Sequence, residues 1–261
     1  MISYSNEESE ILGYRVARSN EYALLNINET VHYLTKEKID VLKLTIDNPD
    51  PTLYIKLDQL GFPYYVLGIT QSYKSSFTRN PKHISYLHED LSFKSVNDNL
   101  EPIIESLVSD IFRTNTSSFF TNPLLQLKHN EYKEMQVLLK YIAKYDERKD
   151  PEKFTHIMHY REQPVGFISS YKEGIGGGVA FAGILDKFVG RGFYIDLVRF
   201  IQNFGKSIEQ KWGIAHAQLH HTVIHKSFVR EGMVPHGSTM NVHINCAKGN
   251  LYGLQIKSSY K

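Results

Sequence analysis

The sequence has few of the features that define secreted or membrane-spanning proteins. Its 261 residues include one cysteine, Cys246, so no internal disulfide can form and a reducing compartment is expected. No apolar run approaches the roughly 20 residues that a membrane-spanning helix needs. The first ten residues, MISYSNEESE, are polar and acidic and match neither a secretory signal nor a transit peptide. We therefore expect a cytoplasmic protein that does not bind a membrane.

The chain also lacks a large excess of either charge. The chain has 30 Lys and Arg residues and 28 Asp and Glu residues, which gives a net charge of +2. This balance gives no overall attraction to nucleic acid, and none is predicted as a partner. The composition is 41% hydrophobic and 22% charged, which is typical of a globular protein. The composition leaves the oligomeric state open.

The most informative segment that is present is a glycine turn between a strand and a helix. The strand is predicted over Val179–Leu185 and the turn over Asp186–Gly192. A helix is predicted to follow the turn and to end at Gly213. Free N–H groups and a partial positive charge at the start of a helix favour a bound phosphate or pyrophosphate. The apolar residues then recur at helical spacing on one face, at Tyr194, Leu197, Val198, Ile201, Phe204, Ile208 and Trp212.

The elements around this turn follow a recognisable order. A strand at Ala215–Leu219, a helix at Thr222–Glu231 that ends in Gly232-Met233, and a strand at Thr239–Asn245 come after it. Phe154–Tyr171 precedes it and predicts two strands around a turn. Residues 85–246 thereby resemble the coenzyme A-binding half of the GNAT superfamily of N-acyltransferases. The resemblance implies an α/β fold of mixed sheets flanked by helices, with acetyl-CoA as the donor substrate.

Three further patterns are similar to the branch of the superfamily that acylates amino sugars, of the TDP-fucosamine acetyltransferase type. They are the Gly-Arg-Gly turn with Tyr194 following, the segment Ser117–Tyr132, and the run from Ser238 to His243. This similarity implies that the acceptor is the amine of a nucleotide-linked deoxy amino sugar. Three alternatives stay open: an N-acyltransferase for a different amine, a tandem-GNAT ligase that uses aminoacyl-tRNA, and a GNAT-fold binding protein without catalysis. Such ligases are longer and more basic, which counts against the second.

The N-terminal part carries a faint copy of the same pattern. A strand at Val41–Ile46, a helix at Thr52–Gln59 and a strand at Tyr64–Tyr73 correspond in order to the elements after the glycine turn. The helix predicted at Glu29–Lys38 is preceded by Asn26-Ile27-Asn28, which contains no glycine. We therefore predict a tandem arrangement, with a degenerate GNAT-like half at 1–80 and a GNAT domain with the coenzyme A site at 81–261. Residues 73–81 are predicted to form a loop between them.

The resemblance assigns roles to residues of the donor site. A backbone N–H near Ile184 or Leu185 would donate to the oxyanion, and Lys187 and Arg191 would add charge beside the pyrophosphate. The superfamily often has a proton-donating tyrosine where this sequence has Phe228, which cannot donate. The predicted donor-binding residues are Ile184, Leu185, Lys187, Phe188, Val189, Gly190, Arg191, Gly192, Phe193, His221 and Phe228.

Phe228 and two other departures from the superfamily pattern, Val189 and Tyr194, favour the alternative without catalysis. Ser227 and Tyr194 are the candidate replacements for the missing proton donor.

Histidines provide the candidate general base, because their usual pKa lies near neutral pH. We rank His220 first and His243 second, with His216 as a third candidate. The spacing of His216, His220 and His221 would suit zinc only on a helix, whereas a strand and a loop are predicted there, so no metal site is predicted. The run Gly174–Gly178 is expected to be a flexible turn, since it lacks the ending of a phosphate-binding loop.

Overall fold

The computed structural model describes residues 2–78, 83–96, 101–112, 122 and 131–247. The chain forms two compact units, and each is a mixed α/β structure. Unit 1 comprises Met1–Ile69, Thr116–Val137 and Ser238–Lys261, and unit 2 comprises Thr70–Asn115 and Leu138–Gly237. The predicted α/β class with mixed sheets is confirmed. The division into related halves at 1–80 and 81–261 stays a prediction, and the compact units do not follow it.

Unit 1 has a mixed sheet in the strand order β1-β2-β3-β10-β4. Strands β2 and β3 are parallel, whereas β3 and β10 are antiparallel. Strands β4 and β10 run on into unit 2. The strands are β1 Ser3–Tyr4, β2 Val16–Asn20, β3 Val41–Asp47, β4 Tyr64–Ser76 and β10 Val234–Asn245; the helices are α1 Asn6–Leu12, α2 Ile27–Lys36 and α3 Leu53–Gln59.

Alternation along β3 separates the two faces of this sheet. Leu42, Leu44 and Ile46 belong to an apolar core that also contains residues of α2 and α3. Lys43 points to the opposite face, where it binds the buried carboxylate of Glu8 at 2.7 Å. Burial alone would raise the pKa of Glu8, but the hydrogen bond from Arg18 and the charge of Lys43 outweigh it and lower the pKa to about 2.

Unit 2 has a sheet in the order β4-β9-β8-β7-β6-β5. Its recorded strand pairs are antiparallel except for the parallel pair of β8 and β9. Helix α5 begins in unit 1 and ends in unit 2. The strands are β5 Leu91–Ser95, β6 Lys153–Tyr160, β7 Gln163–Glu173, β8 Gly176–Ile184 and β9 Trp212–Gln218; the helices are α4 Glu101–Phe112, α5 Glu131–Ile142, α6 Phe193–Ser207 and α7 Thr222–Arg230.

Helix α6 is shorter than the apolar periodicity predicted. The chain leaves the helix at Glu209, which adopts a left-handed conformation with φ 62°, and the Gln210 N–H donates to the Gly205 carbonyl oxygen. Trp212 and Gly213 lie in β9, where they pair with β4. The prediction that Gly213 ends the helix was therefore wrong, because pairing with β4 takes these residues into the sheet.

Two expected loops are also part of this sheet. Strand β4 extends to Ser76 and thereby includes the start of the predicted loop at 73–81. Only Gly174 of the glycine run lies in a turn, whereas Gly176, Gly177 and Gly178 belong to β8. A Cβ atom at Gly176 would collide with the Trp212 ring, so these glycines allow close packing rather than flexibility.

The described residues bear on two further sequence predictions, the segment that resembles the amino-sugar branch and the absence of a membrane span. The segment Ser117–Tyr132 lies outside the described residues, apart from Asn122 and the first residues of α5. Within the described ranges, no helix combines the length and the apolar character of a membrane span.

Candidate functional site

Strands β8 and β9 of unit 2 diverge towards their carboxyl ends. They share one ladder pair, Gly178 with Ile214, and no further pair joins them within the described strands. A β-bulge lies just beyond that pair, because Ser169 is opposite Phe181 and Ser170 is opposite Val179, which leaves Ala180 unpaired. We call the resulting gap between the two strands the splay.

One edge of the splay carries a backbone N–H that does not bond to β7. The Leu185 N–H donates to the Val165 carbonyl oxygen at 2.9 Å and is therefore occupied. Successive N–H groups of a strand point to opposite edges, so the Ile184 N–H points away from β7 and towards the splay. Of the two residues predicted from the sequence, Ile184 is the one whose N–H can serve a ligand there.

The glycine turn connects β8 to α6. A single 3-10 turn, Asp186–Phe188, precedes Gly190 and Gly192, which have φ values of 80° and 92°. Across the described part of the chain, no hydrogen bond is made by the backbone N–H groups of Gly190, Gly192, Phe193 and Tyr194. Clustered free N–H groups at a helix start form a concavity that favours anions.

Two exposed cations flank this concavity. Lys187 and Arg191 both lie over the ring of Phe188, at 5.1 Å and 6.0 Å from its centroid. Val189 is exposed between them, whereas Phe193 is buried in the core beneath α6. The turn thus places its backbone donors and its two charges on an accessible surface, as a phosphate site requires.

The polar face of α6 holds a segment that the sequence did not predict to be part of the site. We call residues 83–88 the strap. The Ile84 N–H donates to Asn203 Oδ1 and Asn203 Nδ2 donates to the Ile84 carbonyl oxygen, each at 2.8 Å. Arg199 donates to the Ser85 carbonyl oxygen at 2.8 Å, and the fully buried Asp196 accepts the Leu87 N–H. The strap ends beside the glycine turn, where a Cβ atom on Gly192 would lie 3.3 Å from Leu87 Cδ1.

Aromatic side chains line the splay on the side of α6 and α7. Tyr194 packs against the apolar clusters of both helices and lies 6.1 Å from Phe228, between ring centroids. Phe228 is buried, and its ring centroid lies 5.1 Å from that of Tyr73. The Tyr194 hydroxyl makes no hydrogen bond to any described residue, and burial raises its pKa. The Ser227 hydroxyl already donates to the Val223 carbonyl oxygen at 2.9 Å.

The histidines near the carboxyl end of β9 differ in their environments. His220 is exposed, and its ring lies 4.2 Å from that of His221, between centroids. Burial lowers the pKa of His221, and the nearby His220 and His225 lower it further. His216 is exposed and its Nδ1 lies 2.8 Å from Ser72 Oγ.

His225 is held by two partners. Its Nε2 lies 2.9 Å from the Gln218 carbonyl oxygen, and its Nδ1 lies 3.0 Å from the Tyr73 hydroxyl. A carbonyl oxygen can only accept, so Nε2 carries a proton, and in the neutral ring Tyr73 donates to Nδ1. His225 thereby ties the first turn of α7 to β4 and β9.

His243 belongs to unit 1 and is 1% exposed. It lies opposite Lys43 in the pairing of β10 with β3, and its Nδ1 is 3.3 Å from Asn122 Nδ2. Burial and the charge of Lys43 lower its pKa to about 3, so at neutral pH the ring is uncharged and accepts a proton weakly. Its environment suits a general base less well than that of His220.

No group of three or more His, Cys, Asp or Glu residues converges in a metal-binding arrangement among the described residues. His216 lies on β9, whereas His220 and His221 follow the strand in a turn. The three histidines therefore do not share the helical face that a zinc site with this spacing would need.

Comparisons with known proteins identify the fold. No protein-family model and no curated protein matches the sequence. A GCN5-related N-acetyltransferase from Sphaerobacter thermophilus superposes with a TM-score of 0.65 at 11% identity, over 95% of this chain and 77% of that one. A tandem GNAT protein from the clavulanic acid biosynthesis pathway superposes with a TM-score of 0.56 at 9% identity, over 91% and 77%.

A third structure, a functionally unknown conserved protein from Staphylococcus epidermidis ATCC 12228, superposes with a TM-score of 0.61 at 16% identity, over 91% of this chain and 88% of that one. The chain therefore has the fold of GCN5-related N-acetyltransferases, as the sequence predicted. Because all three identities are low, this similarity shows the fold alone.

Proposed function

We propose that the protein is an acyl-CoA-dependent N-acyltransferase whose donor site is the glycine turn and splay of unit 2. One observation carries the proposal. Four backbone N–H groups in the glycine turn and the first turn of α6 make no hydrogen bond to the described residues, and the turn follows a strand that separates from its neighbour beyond a single ladder pair. The turn would bind the pyrophosphate and the splay would admit the pantetheine arm of acetyl-CoA. His221 and Phe228, near the other side of the splay, complete the proposed donor contacts.

Acyl transfer to an amine needs a hydrogen-bond donor for the oxyanion, a base for the amine and a proton for the departing thiolate. We assign the Ile184 N–H to the oxyanion and the Tyr194 hydroxyl to the thiolate. His220 is the first candidate for the base, because it is exposed in the unit that contains the turn. His216 shares that unit, and His243 is the least favoured of the three because of its burial.

The proposed acceptor is the amine of a nucleotide-linked deoxy amino sugar. This assignment rests on the sequence similarity to the amino-sugar branch. A different small amine is the alternative acceptor for the same site. A panel of TDP-linked and UDP-linked amino sugars, assayed by release of the CoA thiol, distinguishes the two.

A second candidate function is a GNAT-fold protein that binds its ligand without catalysis. Phe228 favours it, because a buried phenylalanine stands where the superfamily often has its proton donor. Val189 and Tyr194 favour it too, because both depart from the residues that the superfamily usually has at these two positions of the turn. Binding of acetyl-CoA without thiol release against any amine would support this candidate.

Thermal unfolding with and without acetyl-CoA tests the donor site. We expect acetyl-CoA to raise the Tm of the wild type by mass action. Arg191→Glu should abolish most of this rise, because it places a negative charge beside the phosphates. Arg230→Glu, an equal charge reversal on the exposed end of α7, should leave it unchanged. Equal stabilisation of all three proteins would place the donor elsewhere.

A further inference from the structure

The last residue of the strap, His88, is held rigidly beside the glycine turn. Its Nδ1 lies 2.6 Å from Asp196 Oδ2, and its side chain is 21% exposed. Its ring stacks on Phe193 at 3.9 Å between centroids with 4° between the planes, and Tyr160 packs edge-on at 5.6 Å. Three contacts thus fix both the position and the plane of the imidazole.

This arrangement leaves the other ring nitrogen available. A carboxylate can only accept, so Nδ1 donates to Asp196. Within the described residues, Nε2 of His88 has no hydrogen-bond partner. The Cε1 atom between the two nitrogens lies 3.6 Å from where a Cβ atom on Gly192 would be. Because Cε1 is bonded to both nitrogens, this contact places the imidazole ring beside the glycine turn, and Nε2 is its nitrogen without a partner among the described residues.

We propose that His88 is a ligand for a phosphate group of the acyl donor, fixed in place by Asp196 and Phe193. The inference rests on the proposed function and adds a binding residue to its donor site. A carboxylate at Nδ1 and a phosphate at Nε2 are both matched by the imidazolium form, which donates through both nitrogens. Asp196 is then a positioning residue that acts through His88.

The strap supplies a matched control. His83 lies on the same segment, but it contacts Asn203, with its Nε2 3.2 Å from Nδ2 of that residue, and is exposed. His88→Gln removes the imidazole, and His83→Gln makes the same change at the far end of the strap. Both variants keep the hydrogen bond from the Leu87 N–H to Asp196, because it involves neither histidine side chain.

Binding constants for CoA, 3′-dephospho-CoA and pantetheine test the proposal. We expect His88→Gln to weaken CoA binding roughly tenfold or more, the effect of one lost charge-assisted hydrogen bond. Pantetheine binding should not change, since pantetheine carries no phosphate, and His83→Gln should bind all three ligands normally. A loss shared by 3′-dephospho-CoA assigns His88 to the pyrophosphate, and a loss confined to CoA assigns it to the 3′-phosphate.

An equal loss for pantetheine, or unchanged CoA binding, would overturn the proposal. If the wild type binds no CoA at all, the proposed function fails first and this inference with it. A structure of the wild-type protein with CoA gives a second measurement that does not depend on a variant folding. His88 Nε2 within about 3.2 Å of a phosphate oxygen supports the assignment, and a larger separation refutes it.

Discussion

At the scale of single residues, the half-buried Tyr194 makes no hydrogen bond to a described residue through its hydroxyl. Tyr194→Phe therefore removes no hydrogen bond within the described part of the fold and should leave the Tm nearly unchanged. If Tyr194 protonates the departing thiolate, the same change should lower turnover roughly a hundredfold. A variant with unchanged turnover would remove Tyr194 from the mechanism.

A second residue-scale prediction concerns the base. His220→Ala should lower turnover roughly a hundredfold or more while leaving acetyl-CoA affinity nearly unchanged, because a base acts in the chemical step. His236→Ala, which removes an exposed histidine at the start of β10, is the control. Rates measured across pH for these variants and for His216→Ala and His243→Ala identify the base. Full turnover in His216→Ala, His220→Ala and His243→Ala would exclude these three histidines as the base.

Glu8 gives a prediction about stability. Its pKa falls from 4.5 to about 2 on folding, so its contribution is complete above pH 4.5 and is lost as the pH falls towards 2. The shift corresponds to about 3 kcal/mol of unfolding free energy. Glu8→Gln should therefore destabilise the protein at pH 7 by several degrees in Tm, and much less near pH 2. Glu10→Gln, on the exposed side of α1, should have little effect at either pH.

At the scale of elements, Asn203 decides whether the strap stays on α6. Its side-chain amide satisfies both backbone groups of Ile84, as a neighbouring strand would. Asn203→Ala leaves those two groups without this partner, at a cost of about 1–2 kcal/mol to strap docking. Hydrogen exchange should then speed up at residues 84–88 and stay unchanged in the core of α6. Unchanged protection of the strap would show that Arg199 and Asp196 suffice.

The elements differ in how far the sequence determines them. The bounds of helix α7 were predicted to within one residue. Gly232 follows the helix with φ 76°, and the Met233 N–H donates to the Phe228 carbonyl oxygen. Local sequence encodes this glycine-terminated helix end. The predicted end of α6 was wrong. Trp212 continues the helical periodicity and Gly213 resembles a C-terminal glycine, but both pair with a strand 136 or more residues earlier. Local propensity carries no information about such a distant partner.

Local sequence likewise revealed only part of the candidate site. The glycine turn was visible in the sequence, since Gly190 and Gly192 mark a backbone conformation that other residues rarely adopt. The strap was not, because Asp196, Arg199 and Asn203 have the spacing of an ordinary solvated helix face. Only the folded chain shows that this face binds another segment and that Asp196 is fully buried. The choice of Ile184 over Leu185 likewise required the pairing of β7 with β8.

At the scale of the whole molecule, removal of residues 1–80 should destabilise unit 2, because β4 belongs to its sheet. Residues Thr70–Ser76 of β4 pair with Trp212–Gln218 of β9 inside unit 2. A fragment of residues 81–261 lacks this strand and exposes the edge of β9, so we expect it to aggregate or to unfold without cooperativity. A fragment that begins at residue 64 restores the strand and should be more soluble. Cooperative unfolding of 81–261 with retained acetyl-CoA binding would instead support the boundary predicted from the sequence.

The place of β10 in unit 1 also has a consequence for synthesis on the ribosome. Strand β3 pairs with β10 from Asp47 opposite Thr239 to Val41 opposite Asn245, so one partner is translated almost two hundred residues after the other. At typical elongation rates of about 5–20 residues per second, β3 waits roughly ten to forty seconds for that partner. All of unit 2 emerges during this interval. Nascent chains should therefore acquire protease resistance in unit 2 first, while the N-terminal segment depends on chaperones to shield its open strand edge.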